Sequence, residues 1–312
     1  MVQTTTRPTA PPPSPPGTAA GAKRRPRTDP VRRRRRTAAA FLLPTFLAMA
    51  VLFLWPLWQA LGMSLSTEES SFTASNYLDL ITDGRFHHAA FVSLIYTVAV
   101  VGGSLAVGMG TALLLNRKVR GVAVLRSMFI MPWAMPFVAT ALIWRWMLDS
   151  QYGVITYGID ALGGDGMPNP FSSNLALATV SVIEIWKTAP LAAIMLLAGM
   201  QAIPKELYES AAIDGASVWR RFLHVTLPGL RFTTRAVTLL LTLWTFGRAF
   251  MVIFLTTGGG PGGATETLVL LTYLKGFNQF DLHSATAIGM VTLAIALVLT
   301  VVYRRAANDG DD

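Results

Sequence analysis

Cysteine is absent from all 312 residues, so disulfides and thiolate metal sites are excluded. Histidine is nearly absent too. The four (His87, His88, His224 and His283) are scattered with no shared ligand spacing, and no metal site is expected. Charge is scarce at 14% of residues, against 52% hydrophobic, with a mean hydropathy of +0.47. A soluble globular chain carries about a quarter charged residues, so this is an integral membrane protein. No Gly-x-x-x-x-Gly-Lys-Ser/Thr phosphate loop occurs, and no Ser/His/Asp set or carboxylate pair sits in a catalytic context. The chain is not expected to be an enzyme by itself. Any ATP and Mg used in its work would be bound by another subunit.

What is present begins with a basic, proline-rich stretch. Residues 1–36 hold eight of the 18 prolines and the run Arg32 to Arg36. Such a stretch buries little apolar area, and it reads as a disordered tail. Arginines just before a first span mark the cytoplasmic side and meet anionic membrane lipid, a better account than nucleic acid. The apolar run that follows is too long for a cleavable signal. The net charge of +9 comes largely from this tail and says little about a substrate.

Six apolar stretches reach the roughly 20 residues that a bilayer crossing needs, at about 38–65, 88–115, 122–147, 174–202, 232–256 and 284–303. Basic residues in the links alternate. Arg117, Lys118 and Arg120, then Lys205, Arg220, Arg221 and Arg231, then Arg304 and Arg305 lie on one side. The other links hold only Arg85, none in 149–173, and Lys275. This places both termini in the cytoplasm. The domain division is a tail at 1–36, a transmembrane domain at 37–305 with a cytoplasmic loop at 203–229, and a short acidic tail at 306–312. The link 149–173, with Tyr152-Gly153, Gly163-Gly164 and Pro168-Asn-Pro170, reads as turn-rich. Leu268, Leu271 and Leu274 at spacing three predict a short interfacial helix over Thr265 to Phe277.

The loop Ala202 to Pro228 has the most definite local grammar. Pro204 suits a first helical turn, Lys205 to Ile213 reads as a helix and Gly215 as a sharp turn. Ser217 is the N-cap of a second helix, Val218 to Val225, closed by Pro228. Small residues Ser210, Ala211 and Ala212 sit beside Glu209 and Asp214, a surface that allows close approach.

Charges inside spans are functional candidates. Glu184 and Lys187, three apart, share a helical face; a self-neutralising structural pair is the main alternative to a ligand role. Arg248 has no carboxylate near it in sequence, so it either pairs with another helix or faces a wet cavity. Trp244, Phe246 and Phe250 are aromatics of the fifth stretch, where packing against lipid competes with a substrate role. Trp133, Trp144 and Trp146 lie near span ends and fit an aromatic belt.

The loop resembles the EAA loop of ABC importer permeases: Glu-Ala-Ala, three residues, Gly, nine residues, then Ile-x-Leu-Pro. Glu209, Ser210, Ala211, Gly215, Val225, Leu227 and Pro228 hold those places, with Ser for Ala and Val for Ile. The resemblance covers about residues 38–305. Phe41-Leu-Leu-Pro44, Trp55-Pro56, Met131-Pro-Trp-Ala-Met-Pro136, Glu184-Ile-Trp-Lys187 with Pro190, and Leu255-Thr-Thr-Gly-Gly-Gly-Pro261 with Thr265-Glu-Thr267 look like carbohydrate-importer permeases. The last element marks the maltose-permease-F and glycerol-phosphate-permease-A type; Asp281-Leu-His-Ser284 departs where relatives tend to have Gly.

The resemblance implies an all-α permease of six transmembrane helices in the cell membrane, moving a sugar or similar solute by alternating access. It implies a second permease, two ATPase subunits and an extracytoplasmic solute-binding protein as partners. It gives Glu209, Ser210, Ala211, Asp214, Gly215 and Pro228 the coupling role, and points by offset to Phe246 and Ala249 on the substrate path. An ion-coupled secondary transporter would need inverted repeats and a coupling-ion site, neither of which is apparent. A non-transporting membrane scaffold would leave the EAA pattern unexplained.

Overall fold

The computed structural model describes residues 30–117, 121–162, 168–248 and 250–308, with side chains described between Phe41 and Arg305 in those ranges. The chain divides into two units, Met1–Trp55 and Pro56–Asp312. In the first, the described residues form one helix, α1 (Pro30–Ser64), which runs on into the second. It starts inside the stretch expected to be irregular. Pro30 suits a first helical position, and the following arginines are good helix formers, so Arg32 to Arg36 lie on its first turns. Residues 1–29 lie outside the described residues, as does the end of the acidic tail from 309.

The second unit is helical throughout its described residues. After α2 (Ser75–Thr82), α3 (Gly84–Leu115) is capped at its start by Asp83, whose side chain accepts from the Arg85 N–H at 2.8 Å. The third expected span is broken into α4 (Val122–Ala134) and α5 (Phe137–Met147), bent by 98°. Pro136 explains the break: its ring pushes Met135 out of the helical region, to φ −68° and ψ 141°. The link after α5 is not wholly irregular, since it holds α6 (Val154–Ala161). Asp149 Oδ1 accepts the N–H groups of Gln151 and Tyr152 there, which holds its carboxyl below the usual carboxylate range. Gly163 and Gly164 lie outside the described residues.

The fourth span is α7 (Ala176–Gln201). It packs closely along α3: a Cβ on Gly108 would come within 2.7 Å of the Ala192 Cβ, and the Ser104 and Thr188 hydroxyls meet at 2.7 Å. Then come α8 (Lys205–Ile213), α9 (Val218–Arg221), a π-helical turn at Phe222–Thr226 and α10 (Leu227–Gly229). Pro228 therefore does not close a helix. It sits in the first turn of α10, where its missing N–H is tolerated and the widened turn before it absorbs the ring.

The fifth expected span is also divided, into α11 (Arg231–Arg248) and α12 (Met251–Thr256). α13 (Leu268–Tyr273) is not interfacial: Leu268 and Leu271 are fully buried among α3 and α14 residues such as Ala89 and Ile288. A second π-helical turn, Leu274–Asn278, leads to α14 (Leu282–Asn308), whose start is capped by Asp281 accepting from the Ser284 N–H at 2.9 Å. Burial pushes the Asp281 carboxyl up. The Ser284 hydrogen bonds and the charges of Lys275 and His283 outweigh that and hold it below the usual range.

Among the described residues, four helices are long and apolar enough to cross a membrane by themselves, or five if the bent α4–α5 pair is one crossing. They are Phe41–Ser64, Gly84–Leu115, Ala176–Gln201 and Leu282–Arg305. α11 falls short because Arg231, Arg235, Arg248 and five threonines lie on it.

Candidate functional site

Two places bear on function: the knuckle formed by α8 to α10, and a set of charged and aromatic groups around the α4–α5 break.

The knuckle is built by local grammar. Pro204 precedes α8, and Ser217 caps α9 with its hydroxyl accepting from the Arg220 N–H at 3.3 Å. The turn between them is a Schellman motif. The Ala216 N–H reaches the Ala211 carbonyl (2.9 Å) and the Gly215 N–H the Ala212 carbonyl (3.1 Å), with Gly215 at φ +75°. Its base is packed tightly. Ile203 and Leu230 are buried beside Leu196 and Met200, and a Cβ on Gly229 would sit 2.7 Å from Ile203 Cδ1. The Tyr208 hydroxyl meets the Thr226 hydroxyl at 3.1 Å, tying α8 to the π-helical turn.

The tip is open. Glu209, Ser210, Asp214 and Gly215 are exposed, Ala211 is half-buried and Pro228 is exposed at the knuckle's far end. Ile213 is 86% exposed and Trp219 66% exposed. Among the described residues nothing covers Ile213, an exposed apolar group of the kind that marks interaction sites.

At the break, Lys187 is 2% exposed and donates to the carbonyls of Pro132 and Met135. The Pro132 carbonyl also accepts the Met135 N–H at 3.3 Å, whereas the Met135 carbonyl lies just past the end of α4. A cation there also meets the negative end of the helix dipole. The Lys187 Nζ lies 4.3 Å from the centre of the Phe137 ring, and the Arg248 guanidinium 5.5 Å from the same ring and 5.1 Å from that of Trp244. Phe137 and Trp244 thus line up with two cations. Glu184 is half-buried on the same helix as Lys187. Among the described residues the ion pair within 4 Å is Arg85–Glu266; Glu184 and Lys187 share a helix without meeting at that distance.

Other predicted path residues lie apart. Phe246 is buried beside Leu268 and Ile288 and lines an apolar cavity of about 510 Å³ with Thr97 and Thr242. Phe250 stacks on Phe254 at 5.0 Å and meets the Tyr273 ring at 5.0 Å, tilted by 57°. Ala249 lies outside the described residues. Trp144 meets Trp186 of α7 edge-on at 5.4 Å, so it packs within the protein as well as near a span end.

Sequence reasoning missed the Arg85–Glu266 pair, whose guanidinium grips the carboxylate through Nε (2.7 Å) and Nη2 (2.8 Å). It ties the start of α3 to the segment before α13. The signal was present only as an isolated Arg85 and a Glu266 within an apolar surround, 181 residues apart.

Comparison with known proteins agrees with this architecture. Residues 102–308 match the model of the family described as binding-protein-dependent transport system inner membrane component. The trehalose/maltose transport system permease protein MalF of Thermococcus litoralis is 35% identical over 236 residues, covering 75% of this chain and 78% of that protein. The diacetylchitobiose uptake system permease protein DasB of Streptomyces coelicolor is 35% identical over 279 residues, covering 85% and 84%. A chain of a crystal structure of a bacterial ABC transporter involved in the import of the acidic polysaccharide alginate superposes with a TM-score of 0.79 at 20% identity, covering 89% of this chain and 96% of that one. The chain belongs to the binding-protein-dependent transport system inner membrane component family.

Proposed function

We propose that this chain is a permease subunit of a binding-protein-dependent ABC importer for a carbohydrate, and that the α8–α10 knuckle is its EAA loop. The carrying observation is the identity, above 30% over most of the chain, to permeases named for trehalose/maltose and diacetylchitobiose uptake. The knuckle supports the coupling assignment: a rigid, locally capped turn whose exposed Ile213 has no cover among the described residues. Glu209, Ser210, Ala211, Asp214, Gly215 and Pro228 would seat it in a partner ATPase, and ATP and Mg would be bound there.

Six crossings follow if α4 with α5 and α11 with α12 each count as one. The permease domain then runs 37–305, between tails at 1–36 and 306–312, in the cell membrane. The charge alternation favours cytoplasmic termini. The partners would be a second permease, two ATPase subunits and an extracytoplasmic binding protein. Glu184, Lys187, Trp244 and Arg248 border the bend in the third crossing and would line the substrate path, with Phe246, Ala249 and Phe250 contributing from α11 and the start of α12.

The test is reconstitution of the chain with its partner permease, ATPase and binding protein in proteoliposomes, followed by uptake of labelled solutes. ATP-dependent uptake of a di- or oligosaccharide, abolished by omitting the binding protein, is expected. ATP-dependent uptake of amino acids with no sugar transported would overturn the carbohydrate reading.

A further inference from the structure

A groove of about 580 Å³ runs beside the base of the knuckle, between the end of α3 and the α9–π-turn segment. Arg117, two residues beyond α3, and Arg221, the last residue of α9, both line it, and among the described residues no acidic one does. Arg221 Nε is shielded from solvent and has no hydrogen-bond partner among the described residues. A shielded guanidinium donor without an acceptor is costly, because it has given up water for nothing. Two cations that converge without a carboxylate between them match a shared anion.

The other walls are apolar and aromatic. Leu113 and Met200, at the ends of α3 and α7, form the side nearest the spans. Trp219, stacked on Phe222 at 5.5 Å, forms the other. Position and composition therefore agree. The groove lies where two long apolar helices end, with the exposed indole of Trp219 and two arginines on its walls. Arginine pairs phosphate oxygens through its planar fork, which suits the charge and the geometry. A free phosphate would use the arginines but leave the exposed apolar surface of Val218 and Trp219 without a role.

We propose that this groove binds the phosphate of an anionic phospholipid headgroup, gripped by Arg117 and Arg221, with the acyl chain leaving past Leu113 and Trp219. The placement at the cytoplasmic leaflet rests on the topology proposed above. A lipid there would wedge the base of the knuckle against α3 and so bear on its angle.

The experiment uses the assembled importer in detergent. Native mass spectrometry counts lipid retained after exposure to phosphatidylglycerol, to phosphatidylcholine, or to phosphatidylglycerol with millimolar inorganic phosphate. Retention of phosphatidylglycerol over phosphatidylcholine, undisturbed by inorganic phosphate, is expected. Arg117→Gln and Arg221→Gln should each weaken phosphatidylglycerol binding about fivefold, and together about thirtyfold. Trp219→Ala, which leaves the charges in place, should weaken both lipids alike.

Equal phosphatidylglycerol retention by the wild type and the double variant would overturn the site. Displacement by inorganic phosphate would assign the groove to a soluble anion instead. Loss of the ATPase subunit from the double variant, with lipid retention unchanged, would make it a protein interface and equally overturn the proposal. Lipid retention is read by mass and is independent of the solute carried. Failure of the uptake experiment above therefore leaves this result readable, and a negative lipid result leaves the transport reading intact.

Discussion

The knuckle and the break in the third crossing are both sharp turns between two helices, and their ends are satisfied in opposite ways. At the knuckle every partner is near in sequence. Gly215 and Ala216 return to carbonyls three and five residues back, and Ser217 caps the next helix three residues on. At the break the carbonyls of Pro132 and Met135 are met by Lys187, from a different helix. A turn in water can leave its last carbonyls to solvent. A turn inside a bilayer cannot, because an unsatisfied backbone group there costs several kcal/mol. The knuckle's open side is left free for the partner proposed above, and the break's open side is met from within the chain.

The largest expected effect is at the break. Lys187→Met keeps the length and apolar stem but removes the donor to the Met135 carbonyl and one of the two donors to that of Pro132. An orphaned carbonyl costs about 1–3 kcal/mol, so the thermal midpoint of the purified importer should fall by several degrees. Lys187→Arg should recover part of the loss. An unchanged midpoint in Lys187→Met would mean the break is satisfied by other means, and the contrast with the knuckle would fail.

Gly215→Val comes next and should separate stability from function. A Cβ there meets nothing within 4 Å, so the cost within the chain is the positive φ alone. That is about 1–3 kcal/mol for a branched side chain, confined to an exposed turn. Membrane insertion should be unchanged and the midpoint should fall by a few degrees, whereas substrate-stimulated ATP hydrolysis should fall by an order of magnitude. Gly215→Asn, which tolerates the left-handed region, should retain most of the activity. Full stimulation in Gly215→Val would remove the knuckle from the coupling interface. Glu209→Ala should act in the same direction, more mildly.

Glu266→Gln tests a third kind of closure, a long-range ion pair. The Arg85 side chain is 42% exposed, which screens the pair, and a cost of about 1 kcal/mol is expected. Arg85→Gln in the same background should add little, because the two residues share one interaction. Additive losses from the two changes would show that the pair is not a unit.

The same contrast decides what the sequence could tell. α8 is predicted to the residue, and so is the Ser217 cap, because their determinants lie within a dozen positions. α7 and α14 follow from long apolar runs. Helix breaks inside apolar runs were harder. Met135-Pro136 carries the signal for the third crossing, yet apolar length alone reads through it. The fifth stretch likewise reads as one span although α11 ends at Arg248. Tertiary partners were invisible. Spacing three puts Glu184 and Lys187 on one helical face, but gives no sign of the carbonyls at a break in another helix that the lysine meets. Leu268, Leu271 and Leu274 make the same apolar stripe whether it meets lipid or protein, so periodicity could not tell that α13 is enclosed.

Arg248 carries the smallest expected effect on stability and the sharpest question about the path. Its sequence context left two possibilities, a partner on another helix or a wet cavity, and the geometry offers an intermediate one. The side chain is exposed at the end of α11 while its guanidinium lies over Trp244 and within 5.5 Å of the Phe137 ring centre. An exposed cation–aromatic contact is worth about 0.5–1 kcal/mol, so Arg248→Ala should move the midpoint by no more than a few degrees. Phe137, however, also carries Lys187, the cation that closes the break. Removing Arg248 alters one face of a ring whose position helps to hold the bend. If the bend borders the substrate path, Arg248→Ala should reduce uptake several-fold at saturating binding protein, and Arg248→Lys should restore part of it, since an ammonium keeps the charge without the planar stacking. Phe137→Leu should then reproduce both losses, with the larger fall in the midpoint, because it removes the surface shared by the two cations. Normal uptake in Arg248→Ala would place the residue off the path and leave the ring's contact with Lys187 as a purely structural one.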